Sequence, residues 1–198
     1  MTIAHLCQPA AGERRAGDAV VVRHDADATL LAVIDVLGHG DEAAKVAGVA
    51  VQHLMAAPLG RATHLVGSLH ETLRGSRGAA ISLAVLRGHQ IDACGVGNVE
   101  ARVLGSVVPM VSTPGIVGQR YQSLRECTGK LRTGDRLVWH SDGISTRVQL
   151  SDFRHLTPRD ACAAIMSNHR RDHDDATVLI ADVGPLAAAV TPTGRTLR

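Results

Sequence analysis

The chain has 198 residues, 45% of them apolar, which fits one domain with a sizeable core and excludes a disordered chain. Its formal net charge is +2, with acids and bases interspersed and only one Trp, one Tyr and one Phe. It therefore lacks both the basic stripe and the aromatic stacking platforms of a nucleic-acid binder. The N-terminus has no basic n-region and no long apolar run, so neither a signal peptide nor a membrane span is expected. Cys7, Cys94, Cys127 and Cys162 are scattered and form no C-x-x-C pair. They read as reduced structural thiols of a cytoplasmic protein rather than as a zinc site.

In chain order, Ala19–Arg23 and Thr29–Asp35 are short runs rich in β-branched residues, with Asp25 and Asp27 in the turn between them. This pattern predicts an antiparallel hairpin. After Gly38 and Gly40 the composition predicts a largely buried helix from Asp41, as N-cap, to about Ala57, ended by Pro58 and Gly60. A second helix is expected from about Ala62 to Leu73, with Leu65, Val66, Leu69 and Leu73 on one stripe.

From Gly78 the pattern changes to short strands separated by Gly or Pro. They are Ala79–Leu86, Gln90–Cys94, Val99–Leu104, Tyr121–Cys127 and Arg136–His140. Thr157-Pro158 is a helix start with Thr as N-cap and Pro at the first helical position, and that helix should run to about Asn168. Ala176–Val183 is a last strand, and 184–198 reads as a disordered tail beyond a domain spanning 1–183. Strand runs with segregated helices predict an α+β fold in which helices cover antiparallel sheets.

Four acidic positions lie at predicted strand ends or turns. Asp18 follows Gly17 before the first hairpin strand. Asp35 closes the second and opens Asp35-Val36-Leu37-Gly38-His39-Gly40. Asp142 follows the apolar run Arg136–His140, and Asp174-Asp175 precedes the final strand. An Asp beside Gly is most often a turn residue, so each position alone carries little. Together they provide the oxygen donors that Mg²⁺ and Mn²⁺ prefer, at strand ends that can converge on one edge of a sandwich.

Gly17-Asp18, Asp35-x-x-Gly38-His39-Gly40, Val96-Gly97-Asn98, Ser141-Asp142-Gly143 and Asp174-Asp175-x-Thr177 resemble, in order, the motifs of the type 2C (PPM) protein phosphatases in their SpoIIE-like branch. Within that branch the small RsbX-type stressosome phosphatases are most similar, on Arg77–Ser82, Cys94–Val99 and His140–Gly143. The resemblance implies a sandwich of two antiparallel sheets flanked by helices, holding two divalent cations, Mn²⁺ or Mg²⁺. It implies Asp35 as the bridging ligand, Asp142 and Asp174 on one ion, Asp18 in support of the other, and the Val36 backbone carbonyl as a further ligand. The family usually has Gly where Val36 stands, and Val restricts the backbone and crowds the approach. His39 is the candidate general acid, and Arg14 or Arg15 the candidate phosphate-binding group.

The function so implied is a serine/threonine phosphatase acting on a phosphorylated STAS-domain protein, with no nucleic acid or membrane partner. Two alternatives stand beside it. One is a phosphatase-like fold that binds a phosphoprotein without hydrolysing it, which Val36 favours. The other is a GHKL-type anti-sigma kinase, whose glycine box differs in spacing from Asp35-x-x-Gly38-x-Gly40.

Overall fold

The structure is a computed structural model and describes residues 1–185. The expected tail therefore lies, from residue 186 on, outside the described residues.

Strands β1 (Thr2–Gln8), β12 (Ala176–Asp182), β11 (Arg136–His140) and β6 (Glu100–Leu104) form, in that order, one antiparallel sheet. The second sheet runs β10 (Cys127–Lys130), β5 (Gln90–Val96), β4 (Ala79–Arg87), β3 (Thr29–Val36), β2 (Asp18–His24). A two-residue strand, β7 (Ser112–Thr113), adds a parallel pairing to β5. Strand β8 (Gly115–Ile116) pairs with β9 (Arg120–Tyr121) as a separate small ribbon.

The expected α+β sandwich is thus present, and alternation along its strands builds it. In β3, Leu31 and Val33 face the other sheet and pack with Trp139, Leu137 and Leu179. Leu30, Ala32 and Ile34 face away and pack under helices α1 (Gly40–Ala56) and α2 (Ala62–Thr72). Both faces are covered, so eight of the nine residues of β4 are buried. Helix α3 (Pro158–His169) covers the outside of the first sheet through Ala161, Cys162, Ile165 and Met166. The buried Trp139 donates its indole N–H to Ser82 Oγ at 3.0 Å across the inter-sheet core, which satisfies its one polar group.

Several boundaries differ from the sequence expectation, each for a visible reason. Helix α1 begins at Gly40 with His39, not Asp41, in the capping position, and His39 makes no side-chain cap bond. The chain enters through Gly38 and Gly40 at φ +79° and +77°, a region open mainly to glycine. This places Asp41 and Glu42 in the first turn, where the helix dipole favours acids. The expected strand Tyr121–Cys127 is absent, with strand only at its two ends. Its partly buried apolar residues, Tyr121 and Leu124, are three apart, so no face of a strand forms.

Strand β1 has no clean alternation because both of its faces are partly covered. Ile3 packs between the sheets, while Ala4 and Leu6 pack on the α3 side. By contrast, Thr157 caps α3 as its residue type dictates, with Thr157 Oγ1 accepting from Asp160 N. No helix among the described residues is long and apolar enough to cross a membrane.

Candidate metal centre

Strand pairing brings the first two aspartates together. Asp18 opens β2 directly opposite Asp35 near the end of β3. Both carry the parity of Val20, Val22, Leu31 and Val33, so they continue the inter-sheet face beyond the apolar core. Asp142, in the turn after β11, and Asp174, just before β12, arrive at the same edge because β11 and β12 are paired. Asp35, Asp142 and Asp174 line one cavity of about 500 Å³, together with Leu37, Gly38, Gly97, Asn98, Ser112, Pro114 and Ile116.

The electrostatics follow from this crowding. Burial pushes the Asp35 carboxyl up to about 8, with added repulsion from Asp18, Asp142, Asp174 and Asp175. Asp18 is raised to about 7, first by burial and against the hydrogen bond from Ser141. Asp142 is raised by burial and by the charge of Asp174. Buried like charges that raise one another are held ionised by a cation.

The surrounding groups fix these carboxylates in place. Asn98 Nδ2 donates to Asp142 Oδ2 at 2.6 Å. Ser141 Oγ donates to Asp18 Oδ2 at 2.6 Å and accepts from Thr177 N at 2.9 Å. Arg171 braces the Asp142–Gly143 turn through its backbone N–H to Gly143 O and its guanidinium to Asp142 O.

The adjacent pair Asp174-Asp175 divides its labour. Asp174 lines the cavity, whereas Asp175 is 3% exposed and accepts from Ala10 N at 2.7 Å and Gly17 N at 2.6 Å. Asp175 thereby ties the loop before β2 to the start of β12. Asn98, Ser141 and Asp175 were not among the site residues expected from sequence, although each lies inside a motif that was. What was missing is the cross-strand geometry that gives each its partner.

The remaining expected site residues lie as follows. Val36 is 2% exposed, and its side chain packs in the core beneath α1, with Ala43 and Ala47, away from the face that carries Asp35. The crowding expected of this side chain is therefore not found. Val36→Gly should empty a packed site instead of opening a blocked one. It should cost about 2–4 kcal/mol in urea unfolding, from lost apolar burial and glycine entropy, with Mn²⁺ affinity unchanged. Tighter metal binding at unaltered stability would contradict this.

His39 is exposed, and its Nδ1 pairs with Glu13 Oε1 at 2.8 Å. Arg14 and Arg15 are exposed in the loop between β1 and β2. None of these three lines the cavity. Two other arginines reach residues that do line it: Arg77 Nη1 donates to Leu37 O at 2.9 Å and Arg171 Nη1 to Asp142 O at 3.1 Å.

Among the described residues, no group of three or more His, Cys, Asp or Glu side chains is placed as it stands to hold a metal ion. The donor set nevertheless suits the ions implied. It consists of carboxylates lining one cavity, which is hard-cation chemistry, and Mg²⁺ typically keeps several waters and takes only one or two carboxylates.

No family model and no curated protein matches the sequence. Solved structures do. A chain from "The bacterial stressosome: a modular system that has been adapted to control secondary messenger signaling" is 29% identical with a TM-score of 0.82, covering 90% of this chain and 97% of that one. RsbX in complex with magnesium matches at 18% identity and TM-score 0.78, covering 90% and 92%. The PP2C phosphatase domain of SpoIIE from Bacillus subtilis, with a fragment of its regulatory domain, matches at 16% identity and TM-score 0.73, covering 90% and 62%.

Proposed function

We propose that this chain, whose fold is that of the bacterial PP2C-type phosphatases, is a metal-dependent protein-serine/threonine phosphatase. The observation that carries the reading is the convergence of Asp35, Asp142 and Asp174 on one cavity, with Asn98 bonded to Asp142. Two divalent cations, Mn²⁺ or Mg²⁺, when bound would supply a hydroxide at neutral pH and polarise the phosphoryl oxygens.

The chain's own groups hold and orient. Asp35 would serve both ions, Asp142 and Asp174 would serve one, and the Val36 carbonyl would add a backbone donor. Asp18, paired opposite Asp35, would support the other ion, with Ser141 orienting its carboxylate. Asn98 keeps Asp142 from rotating. Arg77 is better placed than Arg14 or Arg15 to meet the phosphoryl group. His39, the candidate general acid, pairs with Glu13 through Nδ1 outside the cavity, so no observation supports its protonating the leaving Ser or Thr oxygen.

As substrate we propose a phosphorylated STAS-domain protein of a stressosome-type complex, so that dephosphorylation resets a signalling assembly. The likeness to a chain of a bacterial stressosome structure and to RsbX supports this, as does a low net charge of +2 suited to docking on a protein surface. The test compares a phosphorylated STAS protein from the same genome with a generic phosphoserine peptide and a phosphotyrosine peptide, all with Mn²⁺. The STAS protein should be cleaved fastest. Equal rates on the other two would remove the stressosome assignment and leave the phosphatase chemistry standing.

The second reading, a fold that binds a phosphoprotein without hydrolysing it, rests on Val36 in the place of the usual Gly. Burial of that side chain under α1 weakens its steric basis. The fold leaves the kinase alternative without support.

A further inference from the structure

The cavity that carries the aspartates has a second wall of different chemistry. Leu37, Pro114 and Ile116 line it as well. Leu37 remains 38% exposed, and neither it nor Ile116 belongs to any of the three apolar cores. These side chains are therefore not needed to hold the sandwich together.

They are nevertheless held firmly. Leu37 N donates to Gly78 O at 3.1 Å and Leu37 O accepts from Arg77, so the residue is fixed on both sides of its Cα. Ile116 sits in β8, and the next residue, Val117, exchanges two backbone hydrogen bonds with Ala79, at 2.9 and 3.0 Å. Ile116 Cγ2 presses so closely on Gly78 that a Cβ there would sit 2.5 Å from it. Beyond it, Gly118 N donates to His70 Nδ1 at 3.0 Å and Gln119 Nε2 to Arg77 O at 2.6 Å, fastening the loop to the end of α2. The result is a preorganised aliphatic surface, partly open to solvent, contiguous with three carboxylates.

Resting on the phosphatase reading, we propose that this wall selects the substrate sequence. The site takes a phosphorylated Ser or Thr whose immediate neighbour in the chain is aliphatic, and it disfavours an acidic neighbour. A fixed apolar wall binds an aliphatic side chain without an ordering cost. A carboxylate neighbour set against the same apolar wall loses its hydration with no polar partner there to replace it.

The experiment measures kcat/KM with Mn²⁺ on phosphothreonine peptides that carry Leu, Gly or Asp at the positions before and after the phosphoresidue. Leu at one of the two positions should exceed Gly by about tenfold, since even one methylene in an apolar pocket discriminates by roughly 10–200-fold. Asp should fall below Gly. In Leu37→Ser and Ile116→Ser the Leu-to-Gly ratio should collapse towards one, a ratio that partial loss of folded protein does not alter. Equal rates across the wild-type panel, or an undiminished ratio in both variants, would overturn the proposal while leaving the phosphatase reading intact. If wild type cleaves no peptide, the phosphatase reading fails, and fluorescence anisotropy with the same peptides decides the wall separately: preference for Leu supports it and equal Kd overturns it.

Discussion

Asp35→Asn should lower Mn²⁺-dependent phosphatase kcat by at least about a hundredfold. Loss of an outer-shell partner of a metal ligand already costs roughly 10–100-fold, and Asp35 is proposed to contact both ions directly. The same substitution should not unfold the protein. Asp35 is a half-buried carboxyl raised to about 8 by burial and by Asp18, Asp142, Asp174 and Asp175. Its unfolded value is near the ordinary Asp pKa of about 4. Between about pH 4 and pH 8 the folded, metal-free state thus binds more protons than the unfolded one, so stability falls as pH rises through that window. Asn removes this contribution. The metal-free variant should melt at or above wild type at pH 8, and added Mn²⁺ should raise its melting temperature less. A variant that melts well below wild type with both proteins metal-free would show that Asp35 is a structural carboxylate.

Gly143→Ala should be the most damaging single-methyl change near the site. A Cβ on Gly143 would lie 1.9 Å from Asp175 O and 2.8 Å from its carbonyl carbon. Neither backbone atom can move freely, because Arg171 N holds Gly143 O and Asp175 fastens Ala10 and Gly17. Relief must come from displacing the Asp142 turn or the start of β12. Overpacking of this kind costs about 1–3 kcal/mol, and a shift of about 1 Å in a positioned group costs on the order of a hundredfold in rate. Thermal melts and kcat should therefore both fall, with the loss in kcat larger than the stability loss alone explains. Wild-type kinetics in a folded Gly143→Ala protein would show that Asp142 need not be held where it is.

What the sequence made legible follows from local rules. Asp18 and Asp35 stand out because one opens and the other closes an apolar β-branched run, and Thr157-Pro158 because its chemistry is a helix cap whatever surrounds it. Residues whose role depends on a distant partner were not legible. From the residues alone Asp174 and Asp175 are indistinguishable as neighbours, and only the family resemblance singles out Asp174. Only the pairing of β1 with β12 and the course of the loop before β2 send one into the cavity and the other to Ala10 and Gly17. Asn98 looks like any turn residue until β11 and the β5–β6 turn bring it to Asp142. Val36 looked obstructive because sequence gives no side to a residue at the end of a strand. The pleat turns it under α1, one position out of phase with Asp35. Strand β1 was missed because its two half-covered faces erase the alternation by which strands are recognised.

The most direct test of the central claim is hydrolysis of a phosphothreonine peptide by the full chain, first in EDTA and then after titration with Mn²⁺ or Mg²⁺. The cavity of carboxylates predicts no turnover in EDTA and saturable recovery on adding the ion, lost in Asp35→Asn. Turnover that persists in EDTA, or a protein that stays inactive with both ions, would contradict it.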